Sequence, residues 1–238
     1  MKITHLMFDL DSTLYAPTAG ITSGFLDRTL AFVSEFFHIS REEAREKRLS
    51  NLPNFSTTLE WLQSEGLTDV ERYLTHTHPE SEADELDADA NLRPLLASID
   101  TPKSILTNSP HEHADRVLKK LNVADLFESI CDIRDCRFKG KPYESAYRAA
   151  LKKCGGTIED TLFFDDQFKY VDGYAALGGT AVLVGTHNGT HLAAGASPEL
   201  SAVSAPPLHP GRVLRIADSY EMHGNQFSSP LFKKLVIC

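Results

Sequence analysis

The chain has 238 residues, 42% hydrophobic and 24% charged, with a formal net charge of −9 at pH 7. That length buries a full core, either as one large domain or as a core with a smaller insert. The acidic balance excludes a general nucleic-acid polymer binder, which needs a basic face. It leaves room for a small anionic substrate, since one metal ion and one or two lysines reverse a local potential. No stretch approaches the roughly 20 apolar residues that span a bilayer, and the first apolar run leads into Asp9 with no signal-peptide pattern. A cytoplasmic protein, off the membrane and monomeric or homodimeric, is the expectation. Cys131, Cys136, Cys154 and Cys238 form no CxxC and no zinc-like pairing with histidine, as expected of reduced structural thiols.

In chain order, Ile3 to Phe8 reads as a short buried strand, with Asp9 and Asp11 standing where it ends. Tyr15 to Gly24 is rich in small and turn residues and reads as a loop. Phe25 to Phe37 carries apolar residues at helical spacing. Ser40 and Glu43 have capping-box spacing for a charged helix through Arg48, which Asn51-Leu52-Pro53-Asn54 breaks. Thr57 to Ser64 predicts another short helix, closed by Gly66. Pro79 to Asp89 is acidic and polar, a solvated return or loose helix. Residues 17–90 therefore predict a helical domain inserted between residues 1–16 and 91–238.

Beyond residue 90, short apolar runs alternate with helical segments. Ser104 to Asn108 and Phe127 to Ile133 read as strands around a helix at His113 to Leu121. Pro142 suits the first position of a helix running to Lys153. Thr161 to Phe164 is a strand ending in Asp165-Asp166, Val171 to Leu177 a helix, and Ala181 to Val184 another strand. His187 to Gly211 is expected to be a loop insertion, after which Arg212 to Ile216 returns as an edge strand. Strands alternating with helices predict a three-layer α/β/α Rossmann-like core around a parallel sheet. In such sheets ligands bind beyond the carboxyl ends of the strands, so Asp9/Asp11, Thr107/Asn108 and Asp165/Asp166 converge at one edge.

The residue types at that edge suit phosphoryl transfer. Asp9 can act as nucleophile, dividing one displacement into two easier ones. Asp11 can protonate the leaving oxygen and later deprotonate water. Thr107 Oγ1 and the Asn108 backbone N–H can hold phosphoryl oxygens, and Lys141 can offset charge in the transition state. Lys139, across Gly140, is a rival for Lys141. Asp165 and Asp166 add hard oxygen donors of the kind Mg²⁺ takes with waters and a phosphate.

These motifs, in this order, resemble the four of the haloacid dehalogenase superfamily in its phosphatase branch. They are Asp9-Leu10-Asp11-Ser12-Thr13-Leu14, Leu106-Thr107-Asn108-Ser109, Lys141-Pro142 and Phe163-Phe164-Asp165-Asp166. The resemblance implies that Asp9, the backbone carbonyl of Asp11 and Asp166 ligate Mg²⁺, with Asp165 supporting the metal's water shell. Leu14-Tyr15, His113-Ala114-Asp115-Arg116-Val117-Leu118, Asp125-Leu126-Phe127-Glu128, Lys141-Pro142-Tyr143 and Gly211-Arg212-Val213-Leu214-Arg215-Ile216 resemble the pyrimidine 5′-nucleotidase-like group. That group usually carries a helical cap, which agrees with residues 17–90, and it departs from this chain at Ser12, at 51–55 and at Lys169-Tyr170-Val171.

The resemblance implies a Mg²⁺-dependent phosphomonoesterase whose substrate is a small phosphorylated metabolite, a pyrimidine nucleoside 5′-monophosphate being the leading candidate. A phosphomutase would use the same residues, whereas dehalogenation does not need an acid at Asp11. A phospho-acceptor module places its acceptor after the acidic pair, not before it, and the intact acid set argues against a catalytically silent binding protein. The pairs His76/His78, His111/His113 and His187/His191 have metal-compatible spacing but no partner cluster nearby in sequence. Trp61, with Phe55 and Leu59, suits the insert's core more than a base-stacking platform.

Overall fold

The computed structural model describes residues 2–184 and the backbone of residues 212–215. Six short strands form one sheet: β1 (His5–Phe8), β2 (Lys103–Leu106), β3 (Ser129–Cys131), β4 (Thr161–Asp165), β5 (Thr180–Leu183) and β6 (Arg212–Arg215). All pair in parallel, in the order β3-β2-β1-β4-β5-β6. This is the expected doubly wound sheet, and the chain reverses its direction of travel between β1 and β4. Ligand crevices form at such a switch point, outside the carboxyl ends of the strands.

Burial on both faces explains the apolar runs. Leu6 and Phe8 of β1, with Leu162 and Phe164 of β4, face one layer, where Phe8 and Phe164 stack with ring centroids 4.5 Å apart. That layer is α5 (Leu92–Ala97) and α6 (His111–Lys120), through Leu92, Leu96, Val117 and Leu118. Met7, Phe163, Ala181 and Leu183 face the other, made by α7 (Glu144–Cys154) and α8 (Phe168–Ala176) through Tyr147, Leu151, Val171 and Tyr174.

Between β1 and β2 every described element is helical: α1 (Gly20–Phe37), α2 (Arg41–Asn51), α3 (Thr58–Ser64) and α4 (Val70–Thr77), with 3₁₀ turns at Leu52–Asn54 and Glu80–Glu85. Ser40 forms the expected capping box: its Oγ accepts from Glu43 N at 3.3 Å, and its own N–H donates to Glu43 Oε2 at 2.8 Å. These helices share a core of Phe32, Val33, Leu59, Leu62, Tyr73 and Leu74 around a fully buried Trp61. Burying such side chains is worth roughly 1.5–3 kcal/mol each. Ile133, from the loop after β3, joins this core and ties the insert to the sheet.

Three local expectations are corrected. The loop expected at 15–24 gives way to α1 at Gly20, because Ile21 is buried in the sheet's core and the helix runs tightly along the 80–85 turn. A Cβ on Gly20 would sit 2.9 Å from the Glu85 carbonyl oxygen, so a residue without one suits this approach. Pro142 lies before α7, not in it, since Tyr143 is the extended N-cap and its N–H closes a turn onto Gly140 O at 3.1 Å. Helix α4 was not foreseen, although Asp69 caps it by accepting from Arg72 N at 3.0 Å and Tyr73, Leu74 and Thr77 line its buried side. The loop expected at 187–211 lies outside the described residues. Among those described, no helix is long and apolar enough to cross a membrane.

Candidate active site

Asp9 follows β1 directly, its N–H bonded to Phe164 O of β4 at 2.8 Å, so its backbone is fixed by the neighbouring strand. Thr107 follows β2, and Asp165 and Asp166 stand at the end of β4. Lys141 reaches them from the segment before α7. Its ammonium, fully buried, lies 2.6 Å from Asp9 Oδ1 and 2.6 Å from Asp165 Oδ2. Of the two lysines it is Lys141 that the structure brings to these carboxylates; Lys139 stands instead near the Tyr143 ring, 5.9 Å from its centroid.

Several neighbours hold this arrangement. Thr13 donates to Asp9 Oδ2 at 3.0 Å and accepts from Asp166 N at 3.1 Å, joining the two strand ends. Asp165 Oδ1 accepts from Gln167 N at 2.8 Å, and Asp166 Oδ2 from Gln167 Nε2 at 2.6 Å. Asn108 uses its side chain as a clamp on Lys141: Oδ1 accepts Lys141 N at 2.7 Å, and Nδ2 donates to Lys141 O at 3.1 Å. Gly140 makes room for that clamp, because a Cβ there would fall 2.1 Å from Asn108 Oδ1. Thr107 Oγ1 accepts from Ser109 N at 3.0 Å.

The electrostatics are lopsided. Burial raises the Asp9 carboxyl, with Lys141 opposing and Asp11 adding to the rise. Burial likewise lifts Asp165 well above the ordinary range against the pull of Lys141, and burial and then Asp9 push Asp166 up to about 7. For Lys141, burial works against the ammonium, yet Asp165 and Asp9 hold it charged. One ammonium thus faces three buried carboxylates. Each of the three offers an oxygen within 4.8 Å of the others, a set of hard donors that fits a divalent cation such as Mg²⁺. Both oxygens of Asp165 already meet Lys141 and Gln167, which suits it to a place behind the directly ligating groups.

Asp11 lives in a different setting. Its Oδ1 accepts from Tyr15 OH at 2.7 Å and meets His113 Nε2 at 2.7 Å, while Oδ2 accepts from Ser109 Oγ at 2.7 Å. Burial opposes the charge, but His113 and these donors hold the carboxyl below its usual range. His113 in turn contacts Glu82 of the insert, Nδ1 to Oε1 at 2.9 Å. Burial alone would lower His113; Asp11 and then Glu82 push it up to about 10. Its Nε2 hydrogen-bonds Asp11 and its Nδ1 meets Glu82 as a charge contact, so the two carboxylates favour the imidazolium form. The sequence offered little sign of this partnership beyond the spacing of His113 and its place after the Thr107 motif.

A doubly wound sheet with an acid cluster and a buried lysine at its switch point is a setting for nucleophilic and acid/base chemistry. A family model for haloacid dehalogenase-like hydrolases matches residues 3–178, and the chain belongs to that family. Solved structures of similar fold include a HAD phosphatase from Thermococcus onnurineus, 22% identical, with a TM-score of 0.55, covering 80% of this chain and 88% of that one. A β-phosphoglucomutase from Clostridium difficile is 19% identical, with a TM-score of 0.52, covering 77% and 85%. A dehalogenase solved with an intermediate complex is 16% identical, with a TM-score of 0.52, covering 91% and 94%. Three chemistries share this fold, so the site has to choose among them.

Proposed function

We propose that the protein is a Mg²⁺-dependent phosphomonoesterase working through a phospho-Asp9 intermediate, with residues 17–90 as a cap over a catalytic core of residues 1–16 and 91–238. The observation that carries this reading is the Asp11 carboxylate, held by three donors beside the nucleophile. An ester oxygen needs a proton as it leaves, and the water that follows needs a base. A departing halide needs no proton, so dehalogenation leaves the acid role of such a residue without a task.

In the first step an Asp9 oxygen attacks phosphorus, the ester P–O bond breaks, and the leaving oxygen takes the proton of Asp11. Water then gives a proton to Asp11 as its oxygen attacks phosphorus. The bond to Asp9 breaks and inorganic phosphate leaves, restoring both acids. The three donors around Asp11 favour its carboxylate, the form that accepts the proton of water in this second step. Thr107 and the Asn108 backbone hold the phosphoryl oxygens, and Lys141 offsets their growing charge. Asp9, the backbone carbonyl of Asp11 and Asp166 would hold Mg²⁺, with Asp165 behind them; bound there, the ion supplies positive charge toward the phosphoryl oxygens.

Within this class we infer a small phosphorylated metabolite, first a pyrimidine nucleoside 5′-monophosphate. The support is the sequence resemblance around Leu14-Tyr15, His113 to Leu118 and Lys141-Pro142-Tyr143. Trp61 lies in the insert's core and does not contribute a stacking face. Phosphate release from p-nitrophenyl phosphate, with and without EDTA, tests the reaction, and a screen of nucleotides and sugar phosphates tests the substrate. The reading predicts EDTA-sensitive release. Isomer interconversion without release would assign a phosphomutase instead, and no turnover of any ester would sink the proposal.

A further inference from the structure

Outside the residues that meet the phosphoryl group lies a second buried cluster: Glu82 and His78 from the insert, and His113 and Arg116 from α6. Glu82 is fully buried, and Arg116 Nη2 donates to its Oε1 at 2.6 Å and to the His78 carbonyl at 2.9 Å. His78, His113 and Glu82 each offer a ligand atom within 4.8 Å of the others, a spacing that suits a metal ion. Two observations favour a chain of charge contacts over an ion. His113 Nδ1 already lies 2.9 Å from Glu82 Oε1, and the Arg116 and Arg28 guanidiniums bring positive charge to the same carboxylate, Arg28 Nη2 at 4.0 Å.

The chain ends on Asp11, and its geometry sorts that carboxylate's two oxygens. Oδ1 meets His113 Nε2 and the Tyr15 hydroxyl, both at 2.7 Å; Oδ2 meets only the Ser109 hydroxyl, at 2.7 Å. A hydroxyl is a rotor that turns from donor to acceptor, while a ring N–H cannot accept. When Asp11 takes up a proton, His113 therefore keeps Oδ1 as an acceptor, and the proton is directed to Oδ2, where Ser109 can turn to receive it.

We propose that His113 and Glu82 are positioning residues for Asp11: the insert's Glu82 fixes the His113 ring, and His113 fixes which Asp11 oxygen carries the transferable proton. Docking of the insert thereby sets the acid/base. This rests on the phosphomonoesterase reading and adds to it a coupling between the insert and the proton-transfer group. The interaction touches no phosphoryl oxygen, so its loss falls on proton transfer to the leaving group. Misplacing a general acid costs up to the about 10²–10⁴-fold that such a group contributes.

The test compares kcat/KM for two esters. p-Nitrophenyl phosphate releases a phenolate that needs little protonation, while 2-phenylethyl phosphate releases an alkoxide that needs it fully. For His113→Leu we expect a loss on the alkyl ester at least about ten times the loss on the nitrophenyl ester. His113→Gln, whose amide N–H can reach Asp11 from nearly the same place, should recover most of the alkyl activity. Glu82→Gln, which leaves His113 in place, should show the same selectivity on a smaller scale and serves if the leucine variant does not fold. Equal losses on both esters, or no rescue by glutamine, would overturn the inference and leave the phosphatase standing. Hydrolysis of neither ester by the unaltered protein would overturn the proposed function and the coupling with it.

Discussion

Two buried clusters of ionisable groups lie close together at the same edge of the sheet, and they are built on opposite terms. Around Asp9, three carboxylates face one ammonium, and burial drives all three carboxyls upward. Around Asp11, two carboxylates face an imidazolium and two guanidiniums, and both carboxyls are held down. Isolated charges are costly to bury, so a cluster short of positive charge marks where a cation or a substrate belongs. One whose carboxylates are each matched by a cation marks a fixture. The first cluster is thus suited to chemistry and the second to holding a residue in place.

The largest effect expected from breaking this contrast is at Lys141. Lys141→Met strands two buried carboxylates and should destabilise the fold by about 3–5 kcal/mol, read from urea denaturation. Adding Asp165→Asn should recover part of that loss, whereas additive costs would mean that the contact has no energetic coupling. Next is the missing positive charge. Millimolar Mg²⁺ should raise the melting temperature, and Asp166→Asn should weaken that rise; a melt unmoved by Mg²⁺ would contradict the charge deficit argued for the first cluster.

Gly140→Ala should cost about 1–3 kcal/mol by forcing Asn108 off the Lys141 backbone. Combined with Asn108→Ala it should cost little more than either change alone, because both break the same clamp.

The smallest expected effect belongs to the second cluster. Burial and then His113 push His78 down to about 3 from 6.5, so it folds as the neutral imidazole. With the folded value depressed, its contribution is present above pH 6.5 and is lost as pH falls toward 3, because the unfolded chain takes up the proton first. Glu82 and Asp11 also face it, but their held-down carboxyls lose their contributions only below about pH 4. His113 contributes in the opposite sense and is common to both proteins. Between pH 7 and pH 5 the unfolding free energy from urea denaturation should therefore fall further for the wild type than for His78→Asn, by about 1–2 kcal/mol.

Much of this site could be read from the sequence, and for a physical reason. Asp9, Thr107, Asp165 and Asp166 each directly follow or end a short apolar run, so the period and length of the run place them at a strand end. The parallel sheet then brings them together. Lys141 was harder, because the choice between it and Lys139 rests on the Asn108 clamp and the turn onto Gly140, neither of which has a periodic signal. Glu82 could not be read at all. It sits in an acidic stretch that looks solvated, and only the close passage of α1 at Gly20 and Gly24, with Arg28 and Arg116 beside it, makes a buried carboxylate tolerable there. Helix α4 was legible from the Asp69 cap and the apolar spacing of Val70, Tyr73, Leu74 and Thr77, and was missed for want of length.

The Asp9 carboxylate is the group on which the proposed phosphoryl transfer depends. Asp9→Asn preserves shape and removes one of the crowded charges, so the variant should fold at least as stably as the parent. Its rate of phosphate release from p-nitrophenyl phosphate in saturating Mg²⁺ should fall by about 10⁴-fold or more, the carboxylate being the group to which phosphorus bonds. Near-normal hydrolysis by a folded Asp9→Asn protein would contradict a phospho-Asp9 intermediate.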